Sequence, residues 1–210
     1  MKTAVLWDFG GVILTSPFEA FRRYEKQHGL PIDFIRSVNA TDPHGNAWAL
    51  LERNEISAEE FGDRFAGEST ALGHRVAGAD VLSLLAGDVR PEMVAMLDRV
   101  KAADLRVACL TNNVVGGERH APADARAAEI AAIMDRFDVV VESSKVGVRK
   151  PEPRFYEIAC EMLGVRPSDC VFLDDLGINL KPAAAMGMTT IKVIGAEQAI
   201  ADLSVALGWH

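Results

Sequence analysis

Five short apolar runs rich in β-branched residues punctuate the chain, at 4–7, 107–110, 139–141, 171–173 and 190–194. Most are apolar throughout rather than alternating, which predicts parallel strands covered on both faces. Between the later runs the spacing turns helical. Residues 91–103 carry Val94, Leu97 and Val100 at three-residue intervals behind Pro91, a residue suited to a first helical turn. Residues 154–163 follow suit through Phe155, Ile158, Ala159, Met162 and Leu163, with Gly164 as the stop. Further helices are predicted over 121–132, 176–186 and 196–207. Strands and helices alternating in this way predict an α/β fold, a Rossmann-like doubly wound parallel sheet.

The first two runs stand roughly 100 residues apart, far more than the dozen or so that a strand–helix–strand crossover needs. That interval holds no strand pattern but two capping boxes, Ser16-Pro17-Phe18-Glu19 and Ser57-Ala58-Glu59-Glu60. Phe18, Phe21 and Tyr24 share one helical face, and Phe61 and Phe65 stand four residues apart. The expectation is a helical cap inserted over 16–88, with 1–15 and 89–210 forming the α/β core. Residues 39–46, rich in Asp, Pro, His and Gly, predict a turn between cap helices. Lids of this kind sit over strand ends.

Composition narrows the functional classes. A formal charge of -8 argues against a general binder of nucleic acid or anionic membranes. No apolar run approaches transmembrane length, and the N-terminus opens directly on a strand. A cytoplasmic protein is expected, as a monomer or homodimer. Cys109, Cys160 and Cys170 lie far apart without metal-binding spacing and read as small buried hydrophobes in a reducing compartment.

Polar groups gather where the strands end. Asp8 closes the first run and leads into Gly10-Gly11, whose backbone can approach a ligand closely. Thr111-Asn112-Asn113 closes the second, Lys150 lies in the loop after the third, and Asp174-Asp175 closes the fourth. In a parallel sheet these ends share one edge, where ligands bind. The set suits phosphoryl transfer. Carboxylates of Asp8, Asp174 and Asp175, with a backbone carbonyl at Gly10 and waters, give the all-oxygen shell that Mg²⁺ prefers. Lys150 supplies positive charge, while Thr111 and nearby amides hold the oxygens of a small phosphorylated substrate. Asp8 is then the nucleophile, forming an aspartyl-phosphate that water hydrolyses.

Asp8-x-Gly-Gly-Val, Leu110-Thr111-Asn112, Lys150-Pro151 and Leu173-Asp174-Asp175 resemble, in order and spacing, the haloacid dehalogenase superfamily. Within it, the segments from Phe137 to Pro153 and from Val171 to Pro182 resemble the N-terminal phosphatase domain of soluble epoxide hydrolases. The resemblance implies a Rossmann-like core with a helical cap after the first strand. It also implies Asp8 as nucleophile and metal ligand, Thr111 and Asn112 as contacts to phosphoryl group or substrate, and Lys150 as charge balance. Asp175 is implied as a direct metal ligand and Asp174 as one acting directly or through water.

One position departs from that pattern. Phosphatases of the superfamily usually carry a second aspartate two residues after the nucleophile, which protonates the leaving group and activates water; here that position is Gly10, as in some other members. A general acid/base is worth ~10² to 10⁴ in rate. Three readings therefore stand: a phosphatase favouring leaving groups of low pKa, a hydrolase of another bond such as carbon–halogen, and a phospho-ligand-binding or regulatory protein with little turnover. The adjacent acids Asp174-Asp175 weigh against a metal-free dehalogenase, whose nucleophile they would repel. Lesser candidates are His120 in the loop after the threonine motif, His44 and Trp48 in the cap, Asn179 near the acidic pair, and Lys145 as a substitute for Lys150.

Overall fold

In the computed structural model, which describes residues 2–113 and 125–209, five parallel strands form one sheet in the order β3-β2-β1-β4-β5. They are β1 (Ala4–Trp7), β2 (Arg106–Thr111), β3 (Val139–Glu142), β4 (Cys170–Asp174) and β5 (Thr189–Lys192). The last ends two residues before the apolar run does, because Ile194 lies beyond it and is 77% exposed. Apolar continuity in β1 has a direct cause. Val5 and Trp7 pack on one face against α6 (Pro91–Ala102) and α11 (Ala196–Leu207), while Ala4 and Leu6 pack on the other against α9 (Pro153–Leu163) and α10 (Gly177–Ala185). Each strand residue is therefore covered, whichever way it points. The remaining core helices are α7 (Ala125–Met134) and the short α8 (Ser143–Val146). Cys109, Cys160 and Cys170 are buried and unbridged.

Between β1 and β2 lie α1 (Phe18–Gln27), α2 (Phe34–Thr41), α3 (Ala47–Glu52), α4 (Ala58–Ala71) and α5 (Gly78–Ser83), the inserted helical cap. They bury an apolar cluster of their own around Phe21, Phe34, Ile35, Leu51, Phe61, Phe65 and Val81. Phe61 and Phe65 stack with ring centroids 5.4 Å apart, as their spacing predicts. The Ser57–Glu60 capping box forms in both directions. The turn expected over 39–46 starts later, since α2 runs through Thr41.

The chain crosses between cap and core twice, and the crossings lie side by side. Leu14 and Val89 form an antiparallel bridge, flanked by Thr15 N–H to Asp88 O at 2.8 Å and Arg90 N–H to Ile13 O at 2.9 Å. Among the described residues, no helix is long and apolar enough to cross a membrane.

Candidate active site

Strand register sets the geometry. Trp7 pairs with both Cys109 and Leu173, so Asp8 and Asp174 leave neighbouring strands at the same level. Asp8 N–H still donates to Leu173 O at 2.9 Å, which holds the residue to the sheet. The backbone then makes one wide turn over Phe9–Ile13, with Gly10 extended (φ -71°, ψ 130°) and Gly11 left-handed (φ 81°). The Arg90 guanidinium braces this turn by donating to Gly11 O at 3.0 Å.

Lys150 reaches the strand ends from the loop after β3. Its Nζ lies 2.7 Å from Asp8 Oδ1 and 2.8 Å from Asp174 Oδ2, and its side chain is 1% exposed. Phe9 N–H also donates to Asp8 Oδ1, at 2.6 Å, so both donors fall on the same oxygen. Asp174 is fully buried and accepts from Leu176 N–H and twice from the Asn179 amide. Asn179 therefore steadies Asp174. Lys145 is exposed and pairs with Glu142 instead.

Asp8, Asp174 and Asp175 each offer an oxygen within 4.8 Å of the others. Burial pushes the Asp8 carboxyl well above its ordinary range; Lys150 opposes this, while Asp174 and Asp175 add to it. Burial likewise raises Asp175, with Asp174 acting in the same direction. For Lys150 burial works against the charge, but Asp174 and Asp8 outweigh it and hold the ammonium protonated. The pocket is thus short of positive charge.

Thr111, at the end of β2, is buried at the same edge. The Asn112 side chain is turned to the lysine loop, donating to Lys150 O at 2.9 Å and accepting from Lys150 N–H at 2.9 Å. Asn113 ties the strand ends together, donating to Glu142 Oε1 at 2.7 Å and accepting from Ser144 Oγ at 2.8 Å. The capping box expected at Ser16 does not form. Pro17 starts α1 without a side-chain cap, and the Ser16 hydroxyl donates to Asp175 Oδ2 at 3.0 Å instead. The Ser16 side chain is thus turned to Asp175 rather than to the first N–H groups of the helix.

Sequence patterning missed a cap residue, Glu52. At the end of α3, buried to 6% exposure, it accepts from the Arg149 Nε, from Asn112 Nδ2 at 3.2 Å and from Trp48 Nε1 at 2.9 Å. Burial raises its carboxyl and Arg149 pulls it back down. His44 is exposed, and Trp48 packs edge-on to Phe61 with centroids 5.3 Å apart. His120 lies outside the described residues.

Comparison with known proteins finds relatives along nearly the whole chain. The mouse protein acyl-CoA dehydrogenase family member 10 is 33% identical over 98% of the chain, and mouse bifunctional epoxide hydrolase 2 is 30% identical over 96%. The chain spans only 19% and 38% of those relatives' own lengths. Among solved structures, an enzyme of the same superfamily from Bacteroides thetaiotaomicron, in complex with magnesium and inorganic phosphate, superposes with a TM-score of 0.59. It is 19% identical, with 91% of this chain and 94% of that one covered. The family profile described as haloacid dehalogenase-like hydrolase matches residues 2–187, and the chain belongs to that family of hydrolases.

Proposed function

We propose that the chain hydrolyses phosphomonoesters with Mg²⁺, through an aspartyl-phosphate on Asp8. The observation that carries this reading is the buried lysine bridging Asp8 and Asp174, with Asp175 completing a carboxylate triangle. The donor set suits a hard divalent cation, since it is all oxygen. Burial, and after it mutual repulsion, raises the Asp8 and Asp175 carboxyls, and a bound cation would offset both. Asp8, Asp175, Asp174 and the Gly10 carbonyl would hold it. Asp175 suits direct ligation better, as Asp174 is already engaged by Lys150, Leu176 and Asn179. Bound Mg²⁺ would neutralise phosphate charge and let an anionic nucleophile approach.

The chain's own groups do the rest. Lys150 and Phe9 N–H both engage Asp8 Oδ1, which leaves Oδ2 to attack phosphorus. The Oδ2–P bond forms, the P–O ester bond breaks, and the leaving oxygen departs with its electron pair. Water then attacks phosphorus, returning the carboxylate and inorganic phosphate. The Thr111 hydroxyl and the amides of Gly10 and Gly11 hold phosphoryl oxygens, and Asn112 holds the lysine loop beside them. Residues 16–88 act as the cap that selects substrate. With Gly10 in place of the usual acid, leaving groups that need no proton, aryl and acyl phosphates, are favoured over alkyl esters.

A phosphate-release screen over many phosphomonoesters, with and without Mg²⁺, tests the reading against an Asp8→Asn blank. Chloride release from 2-chloropropionate runs alongside. Mg²⁺-dependent phosphate that vanishes in the blank supports the proposal; chloride without phosphate overturns it.

A further inference from the structure

Glu52 belongs to the cap, yet two of its three donors, Arg149 and Asn112, lie in the core. Arg149, which donates to it, is the residue immediately before Lys150, and also donates to Pro43 O at 3.0 Å. Asn112, its second core donor, holds both backbone polar groups of Lys150. One cap carboxylate thereby fixes the residue before the lysine and the side chain that clamps the lysine's own peptide groups. Arg53, the next cap residue, adds a longer contact to the same loop at Glu152, 3.8 Å away.

Every group touching Glu52 donates to it: a guanidinium, a carboxamide N–H and an indole N–H. Such an oxygen pair serves as an acceptor in each of these contacts. A purely structural ion pair joining cap to core would need only Arg149. The shared bond to Asn112 is what connects the cap to Lys150.

We propose that Glu52 is a positioning residue, through which a seated cap sets Lys150 Nζ between Asp8 and Asp174. The inference rests on the phosphohydrolase reading for its kinetic consequence but not for its structural one. When the cap lifts, Arg149 loses its carboxylate and Asn112 loses one acceptor, so both supports of the lysine loop are weakened. Charge balance at the nucleophile is then complete only with the cap in place.

The test compares Glu52→Ala, Glu52→Gln, Arg149→Ala and the double variant of Glu52→Ala with Arg149→Ala against wild type on p-nitrophenyl phosphate and Mg²⁺, with amide exchange at Lys150 as an activity-independent measurement. Glu25→Gln serves as control: that buried cap carboxylate only accepts from Asp33 N–H and Ile35 N–H within the cap. Loss of a supporting partner of this kind lowers activity about 10–100-fold. The expected result is a kcat fall of that order in Glu52→Ala and Arg149→Ala, with KM little changed and the double variant no worse than either single. Glu52→Gln, which keeps the shape, should fall less and serves if the alanine variant does not fold. Exchange at Lys150 should quicken in Glu52→Ala and not in Glu25→Gln. An unchanged kcat with a lowered melting temperature, or additive losses in the double variant, would overturn the inference. If wild type releases no phosphate, the hydrolase reading fails on its own, and Lys150 exchange still decides the positioning role.

Discussion

The carboxylate of Asp175 fills the space that a side chain on Gly11 would need, its Oδ2 lying 2.3 Å from the ideal Cβ position. Asp175, distant in sequence, thus excludes any larger residue at position 11. Gly11→Ala adds a left-handed backbone penalty of roughly 1–2 kcal/mol and displaces the acidic side chain. The variant should melt lower than wild type and lose most of its stabilisation by Mg²⁺. Differential scanning fluorimetry with and without the metal measures both.

Metal dependence has a thermodynamic signature that needs no substrate. At a hundredfold excess over its dissociation constant, a ligand binding only the folded state adds about 2.7 kcal/mol. For a domain of this size that is roughly 5–10 °C, at about 2–4 °C per kcal/mol. Asp175→Asn should abolish the rise. A full shift in that variant would remove Asp175 from the ligand set.

Lys150 is the only cation bonded to Asp8 and Asp174 among the described residues. Lys150→Met leaves two buried carboxylates facing each other without compensation, a loss of about 3–5 kcal/mol. Urea denaturation in chelator should show that loss, and phosphate release should be abolished. The Asp8 carboxyl already sits above its unfolded value, so the folded state binds protons more readily than the unfolded one. Stability from this group is present at low pH and declines as pH rises through the folded-state range. The deficit in Lys150→Met should accordingly shrink on acidification. A deficit constant with pH would mean the carboxylates do not sense one another.

Gly10 has an extended backbone open to any residue, and a Cβ built there meets nothing within 4 Å. Gly10→Asp should therefore fold normally. If the missing acid limits turnover, alkyl phosphates should gain up to ~10² to 10⁴ in rate, while p-nitrophenyl phosphate gains little. The ratio of the two rates is the measurement, and an unmoved ratio would refute the acid/base argument.

Much of the core was legible because its causes are local. Continuous apolar runs marked all the strands of the sheet, and proline after Lys150 singled it out over Lys145, which is exposed. What escaped depends on contacts across the fold. Glu52 resembles the charged end of an amphipathic helix until Arg149, 97 positions away, is seen beside it. Ser16 carries a true capping-box spacing, yet its hydroxyl goes to Asp175, a partner no window of sequence contains. Asn112 is addressed to the lysine loop, which its place in a strand-end motif could not specify. Pattern reveals which residues reach an edge; only packing decides whom they hold there.

The bridge between Leu14 and Val89 brings the departure and return of the polypeptide to one spot on the core. Whatever is spliced between those two points enters and leaves the core at the same joint. A different module could be grafted at that joint, and on the reading proposed here it would serve the reaction only if it brought a carboxylate to the place of Glu52.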